Sequence, residues 1–266
     1  MIRTMADLRR RGRLDADDQL FAPDQLAKLR SAATDLAWLL GRGYAVDASL
    51  KLVGDRRQLS ARQRMAVRRG TAPSSAAADR RRRRLPIAEL RDQDLAIDGF
   101  NALITVESAL THGTVIRGHD GAHRDLASVH GTYKQVLETG FAIDAIGGLL
   151  ADVSPRSVTW YLDRPVSSSG RLRALLLEKA AARGWAWTVE LPQNPDPVLA
   201  QIIAVVATSD AWILDHCSTW VDLLGGLLDA GSSPIAAPTL AMRPDLWLVD
   251  LTSTDEVEVE VGPKGA

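Results

Sequence analysis

Cysteine is almost missing from this chain of 266 residues, where Cys217 stands alone. A single thiol forms no internal disulfide and no thiolate metal site, which excludes a disulfide-stapled secreted fold and a zinc–cysteine module. Cys217 is therefore expected to be a small core residue. Aromatic residues are scarce as well, at 5%, and the tryptophans (Trp38, Trp160, Trp185, Trp187, Trp212, Trp220 and Trp247) read as core rather than as base-stacking platforms. No uncharged apolar run reaches the roughly 18 to 20 residues that span a bilayer. The opening MIRTMADLRRRGRLDADDQ has no apolar block of the signal-peptide kind. A cytoplasmic protein without membrane contact is expected. Neither GxxxxGK[ST] nor GxGxxG occurs, so nucleotide-dependent oxidoreduction has no support.

What is present is a divided charge. The formal net charge is -1, but residues 1–91 carry 21 Lys and Arg against 10 Asp and Glu, while residues 92–266 carry 11 against 23. A basic segment attracts polyanions such as nucleic acid, and an acidic domain that works on polyanions needs cations to neutralise its carboxylates. The alternative is that the arginines are solvated faces or pair with the acidic part.

The apolar pattern divides at the same place. Leu26, Leu29, Ala33, Leu36, Ala37 and Leu40 recur at three- and four-residue steps after Pro23, predicting an amphipathic helix that stops at Gly41 and Gly43. Ser60 N-caps a second helix, ARQRMAVRRG. GYAVDASLKLVGDRRQL between them reads as a loop or short extended piece, and TAPSSAAADRRRRR, with arginines at 80–84, as an exposed linker. The boundary falls near residue 85, giving a basic, mainly helical part over 1–85 and an α/β domain over 86–266.

In the second part, strands are predicted at 94–100, 157–163, 186–192, 202–210 and 246–251, with helices at 128–138, 170–183 and 219–228. That alternation predicts an α/β fold: an open, Rossmann-like parallel sheet with helices on both faces. Ligands of such sheets bind beyond the carboxyl ends of the strands, and three predicted strands finish on Asp98, Asp163 and Asp210. Alone, such an aspartate is often only a helix cap. Three at one edge repel one another unless cations or protons compensate. Oxygen ligands without a cysteine or histidine set favour Mg²⁺ or Mn²⁺, and two such ions support phosphodiester cleavage. Asp196, Glu107 and Asp215 are further candidate acids. Asp120, Arg124 and Asp125 lie in a long polar segment suited to substrate contact. His112, His119, His123 and His130 share that segment without an H-E-x-x-H spacing, so histidine-bound metal is set aside. Ser167 to Ser169 read as cap and turn, with phosphate contact as the other option.

Several of these residues resemble a known superfamily. IDGFNAL, with Asp98, Gly99 and Asn101, resembles the first strand of PIN and NYN-type nucleases; VVATSDAWILD, with Thr208, Ser209 and Asp210, resembles their strand carrying a Thr/Ser-x-Asp acid; NPDPVLA resembles the segment that holds a further acid, here Asp196. The basic N-terminal part, with RGY and VGDR, is similar to an uncharacterised prokaryotic family that joins a helical domain of unknown function to a PIN-like domain. The resemblance covers roughly residues 92–252 and 20–85. It implies a PIN-like sheet, a homodimer and metal-dependent cleavage of RNA.

The resulting expectation is a Mg²⁺- or Mn²⁺-dependent ribonuclease. Asp98, Asp196 and Asp210 hold the metal and Asp163 and Glu107 complete the catalytic set. Asn101, Thr208, Ser209, Arg164 and Arg124 contact substrate or orient carboxylates, and the arginines of 56–84 grip the nucleic-acid backbone. The alternative is an inactive PIN-like nucleic-acid-binding or adaptor protein, because Trp212 stands where NYN-type members carry a second acid.

Overall fold

The computed structural model describes residues 14–127, 137–229 and 248–252. Among the described residues the basic part forms five helices: α1 (Asp17–Leu20), α2 (Pro23–Gly41), α3 (Val46–Arg56), α4 (Ala61–Gly70) and α5 (Ser74–Arg83). Helix α2 starts on Pro23, whose fixed φ suits a first helical position, and buries Leu29, Ala32, Ala33, Leu36 and Ala37 as one stripe. Helix α4 opens with a reciprocal capping box, in which the Gln63 N–H donates to Ser60 Oγ and the Ser60 N–H donates to Gln63 Oε1. The segment expected as a loop is α3, and the expected arginine linker is α5. Helical phase explains the second correction. Ala77 and Arg80 fall three residues apart on the buried face, and Arg80, 4% exposed, donates to Asp120 (2.8 Å), Asp215 (2.7 Å) and the Ala211 carbonyl (3.1 Å).

The acidic part contains β1 (Asp94–Asp98), α6 (Gly99–Leu110), β2 (Val115–Arg117), β3 (His123–Asp125), α7 (Leu137–Val153), β4 (Ser157–Tyr161), α8 (Ser169–Arg183), β5 (Trp187–Glu190), α9 (Asp196–Gln201), β6 (Val205–Ala207), α10 (Ala211–His216), β7 (Trp220–Val221), α11 (Leu223–Asp229) and β8 (Leu248–Asp250). Five strands form an all-parallel sheet in the order β5-β4-β1-β6-β7. The fold is Rossmann-like α/β with an N-terminal mainly helical part. The expected helix at 219–228 is split, since Trp220–Val221 adds the edge strand before α11 begins. Of the expected helix at 128–138, residues 128–136 lie outside the described residues, as do His130 and Trp247. No helix among the described residues is long and apolar enough to cross a membrane.

Alternation along the strands builds two cores. Leu95 and Ile97 of β1, and Val205 and Ala207 of β6, join the core made with α6, α7, α8 and α11. Ala96 and Val206 face the other core, with Leu199 of α9, Ile213 and Leu214 of α10, Cys217 and Trp220. The last expected strand, β8, is not in this sheet. It pairs in parallel with β2, which is antiparallel to β3, and Ile116, Leu126, Val249 and Leu251 complete the core of α2, α3 and α4. The helical part thus shares one core with a three-stranded sheet drawn from the acidic part.

Candidate active site

The chain leaves β1 for β4 and β5 on one side, then returns to β6 and β7 on the other. The carboxyl ends of β1 and β6 therefore flank the point where strand order reverses, where open α/β sheets bind ligands. Asp98 ends β1, Thr208, Ser209 and Asp210 follow β6, and Asp163 lies two residues past β4. Gly99 makes the turn into α6 possible. A Cβ there would meet Leu162 Cδ2 at 2.4 Å and the Tyr161 carbonyl at 2.9 Å.

Parity decides which acids meet. Asp98 continues the register of Ala96, and Asp163 that of Thr159 and Tyr161, the face covered by α9 and α10. Asp196 begins α9 and Asp210 N-caps α10. These four carboxyls act on one another: Asp98 is 7% exposed, and burial first, then the charges of Asp210, Asp196 and Asp163, push it up to about 7 against the pull of a Thr208 hydrogen bond. Asp196 is raised by burial and by Asp210 and Asp163, and Asp163 is raised by burial.

The loop around them is held by short hydrogen bonds. Thr208 Oγ1 donates to Asp98 Oδ2 (2.8 Å) and accepts from the Asp210 N–H (3.0 Å). Asn101 Oδ1 accepts both the Ser209 N–H (2.8 Å) and Ser209 Oγ (3.0 Å). Asp210 Oδ1 accepts the Trp212 and Ile213 N–H groups at 2.8 and 3.1 Å, as an N-cap does. Thr208 rather than Asn101 or Ser209 orients a carboxylate; Asn101 and Ser209 lock each other.

Two expected residues are elsewhere. Glu107 is fully buried on α6, on the opposite face of the sheet, where it accepts from Thr139 Oγ1 (2.6 Å); nine residues along a helix from Asp98 carry it away from the edge. Arg124 is 7% exposed and donates two bonds to Asp120 (2.8 and 2.7 Å) and one to the Ser209 carbonyl (2.8 Å). It supports the loop after β6 instead of contacting substrate. Asp120 and Asp215 serve Arg80, and Asp125 accepts from Arg69 and the Ala127 N–H. Arg164 is exposed beside Asp163 and donates Nε to the Leu191 carbonyl (3.0 Å).

Features without a sequence signal complete the site. His123 Nδ1 lies 2.6 Å from buried Asp222 Oδ2, and both line a cavity of about 20 Å³ with Asn101, Thr105, Thr208 and Ser209, room for a single water. Trp212, expected in the core, is 47% exposed and stacks on His216 at 4.3 Å beside Asp210. Trp38 is also a surface residue, at 54%. By contrast Trp160 and Trp220 are fully buried.

The acids at the edge differ in one respect from five aspartates elsewhere in the fold. Asp17, Asp120, Asp125, Asp215 and Asp222 each face an arginine or histidine. Asp98, Asp163, Asp196 and Asp210 have no basic partner among the described residues. A hard divalent cation suits such a donor set in chemistry and charge. The four are not a preassembled cage, since among the described residues no group of three or more acid, histidine or cysteine side chains is disposed to hold an ion. Mg²⁺ asks for less, because it keeps several waters and binds through one or two carboxylates.

Comparison with known proteins adds kinship without chemistry. Residues 87–225 match the family described as a domain of unknown function, DUF5616, and residues 28–83 the family described as a protein of unknown function, DUF434. The chain is 29% identical over 203 residues to the uncharacterized protein MJ0935 of Methanocaldococcus jannaschii, a match covering 76% of this chain and 97% of that one. No solved structure matches it.

Proposed function

The chain belongs to the DUF5616 family, whose description names no activity, and from the site itself we propose that it is a metal-dependent ribonuclease working at the carboxyl edge of the parallel sheet. The observation that carries this reading is the set of four mutually repelling aspartates left without a basic partner at the switch point. The PIN-like resemblance of IDGFNAL, NPDPVLA and VVATSDAWILD supports it.

Asp98, Asp196 and Asp210 would hold Mg²⁺ or Mn²⁺, with Asp163 beside them. Bound there, the ion supplies charge neutralisation for the phosphodiester and a more acidic water. The chain's own residues do the positioning. Thr208 holds the Asp98 carboxyl by Oδ2, and the α10 N-terminus holds Asp210 by Oδ1, leaving its Oδ2 without a protein donor among the described residues. The Asn101–Ser209 lock keeps β1 and β6 at fixed spacing. Hydrolysis places the water oxygen on phosphorus, breaks one P–O bond and delivers a proton to the leaving alkoxide. The exposed Trp212–His216 stack at the rim offers a face for a base. A cytoplasmic setting belongs to the same proposal.

A second reading, nucleic-acid binding without cleavage, is supported by Trp212 at the place of a second acid and by the lack of a preassembled ligand trio among the described residues. Mn²⁺ titration with labelled single-stranded and structured RNA separates the two. Cleavage that requires metal and disappears in Asp98→Asn/Asp210→Asn supports the nuclease. Metal-independent affinity with intact RNA at every Mn²⁺ concentration rejects it.

A further inference from the structure

A second cavity lies away from the four aspartates. It is an open cleft of about 740 Å³ between α2, α5 and the turn after β2. Arg42, Arg81, Arg84 and Arg117 line it with His119 and Trp38, and no aspartate or glutamate is among its lining residues. This is unusual for this chain, which pairs most of its buried and half-buried arginines with carboxylates: Arg57 with Asp35, Arg62 with Asp17, Arg80 with Asp120 and Asp215. Arg42 and Arg81 have no carboxylate partner among the described residues. Arg84 and Arg117 are only loosely paired, at 3.5 Å to Asp222 and 3.8 Å to Asp250. Two polar atoms of the lining, Arg117 Nε and His119 Nε2, are buried without a hydrogen bond among the described residues.

The aromatic element has its own geometry. Trp38 is 54% exposed, and the Arg42 guanidinium lies over its ring at 3.5 Å from the centroid. A stacked indole and guanidinium form a flat platform of the kind on which unpaired bases stack, while arginines around it take phosphates. A cleft of this volume is too large for one phosphate and is open at the surface. It suits a few linked nucleotides rather than a single anion.

We propose that this cleft binds single-stranded nucleic acid, with Arg42, Arg81, Arg84 and Arg117 on successive phosphates and a base on the Trp38–Arg42 platform. The assignment does not depend on the ribonuclease reading, although it would serve it. Helix α5 is common to both places: Arg80 holds the Ala211 carbonyl at the start of α10, which Asp210 caps, while Arg81 and Arg84 line the cleft.

The test is fluorescence anisotropy of a labelled oligouridylate with the full chain, in a metal chelator so that no cleavage intervenes, over a salt series. Neutralising two phosphate contacts fewer lowers the slope of log affinity against log salt by about 1.4 for single strands, the expected effect of Arg42→Gln/Arg81→Gln. Trp38→Ala is expected to weaken binding about tenfold at every salt with the slope unchanged. All three side chains are exposed, and circular dichroism checks that the variants fold; Arg173→Gln, exposed on α8 and outside the lining, leaves both quantities unchanged. Inorganic polyphosphate is the competitor that carries charge without bases. Equal competition by polyphosphate together with a silent Trp38→Ala overturns the nucleic-acid assignment in favour of a simple anion site. Unchanged affinity and slope in the arginine variant overturn the cleft altogether. Loss of binding in Asp98→Asn/Asp210→Asn, with the arginine variant intact, moves binding to the carboxylate edge and overturns it as well. Failure of cleavage in the separate Mn²⁺ titration, with binding retained at the cleft, refutes the nuclease alone.

Discussion

Replacing Asp98 by asparagine should make the protein more stable at alkaline pH. The carboxyl is 7% exposed and stands at about 7 instead of 3.8, through burial first and then Asp210, Asp196 and Asp163, with the Thr208 bond opposing. Asparagine keeps an oxygen to accept from Thr208 and removes the charge. The sign follows from linkage. Between pH 4 and 7 the folded state retains a proton that the unfolded state releases, so stability falls as pH rises through this window and levels off above 7. At about 1.36 kcal/mol per unit, the penalty is at most about 4 kcal/mol at pH 8 and about 1.5 kcal/mol at pH 5. Asp98→Asn is therefore expected to gain about 2–4 kcal/mol at pH 8, a rise of roughly 5–10 °C in melting temperature for a chain of this size. The gain shrinks by more than half at pH 5. Mn²⁺ should raise the melting temperature of the parent at pH 8 and leave the variant nearly unchanged, because a ligand stabilises only the state that binds it. Differential scanning calorimetry at the two pH values, with and without Mn²⁺, reads all of this. A variant that melts below its parent at pH 8, or a difference that is the same at pH 5, refutes the reasoning: Asp98 would then be an ionised acceptor that the fold relies on.

Other consequences concern the scaffold. Arg80→Ala leaves Asp215 and part of Asp120 unpaired at the base of α5, and urea unfolding should report a loss of about 3–5 kcal/mol, whereas exposed Arg82→Ala should stay within about 0.5 kcal/mol. Gly147→Ala would place a Cβ 2.1 Å from the Trp185 ring, so α7 must move off it at a cost of about 1–3 kcal/mol, visible as a lower melting temperature. For Asp17, burial raises the carboxyl, but Arg62, the Leu14 N–H and Thr114 outweigh it and hold it below its ordinary value. That stabilisation is present above about pH 4 and lost as pH falls further, so Asp17→Asn should flatten the acid limb of a stability–pH profile.

Much of the fold could be read from local pattern, for reasons that are themselves local. Three- and four-residue steps marked α2, Ser60 and Gln63 marked the start of α4, and short apolar runs marked β1, β4, β5 and β6. Helix α3 escaped because Val46, Ala48, Leu50 and Leu52 alternate at two-residue steps, the period of an extended segment; it is held by packing on α2 and α4, with Ser49, Val53 and Gly54 as its buried positions. Strand β7 escaped because two residues carry no period, and only pairing with β6 makes them a strand. In the site, Asp98 and Asp210 were visible at the ends of their strands. The parity of Ala96 and Asp98 was also available, and it would have set Glu107 aside, since α6 packs on the other face of the sheet.

The amino-acid sequence by itself determined the alternating α/β part, the basic helical part and the acids that close the strands, because strand period, helix period and capping chemistry act over a few residues. Tertiary structure alone decided which of those acids stay unpaired. Arg80 turned from an expected linker residue into a buried cation for Asp120 and Asp215, and Arg124 from a substrate contact into a strut for Ser209. It also sent β8 to β2 instead of to the main sheet. Those outcomes depend on partners 40 to 135 residues away in the chain, and the desolvation that makes a carboxylate seek an arginine, or leaves it for a cation, exists only once the chain has closed around it.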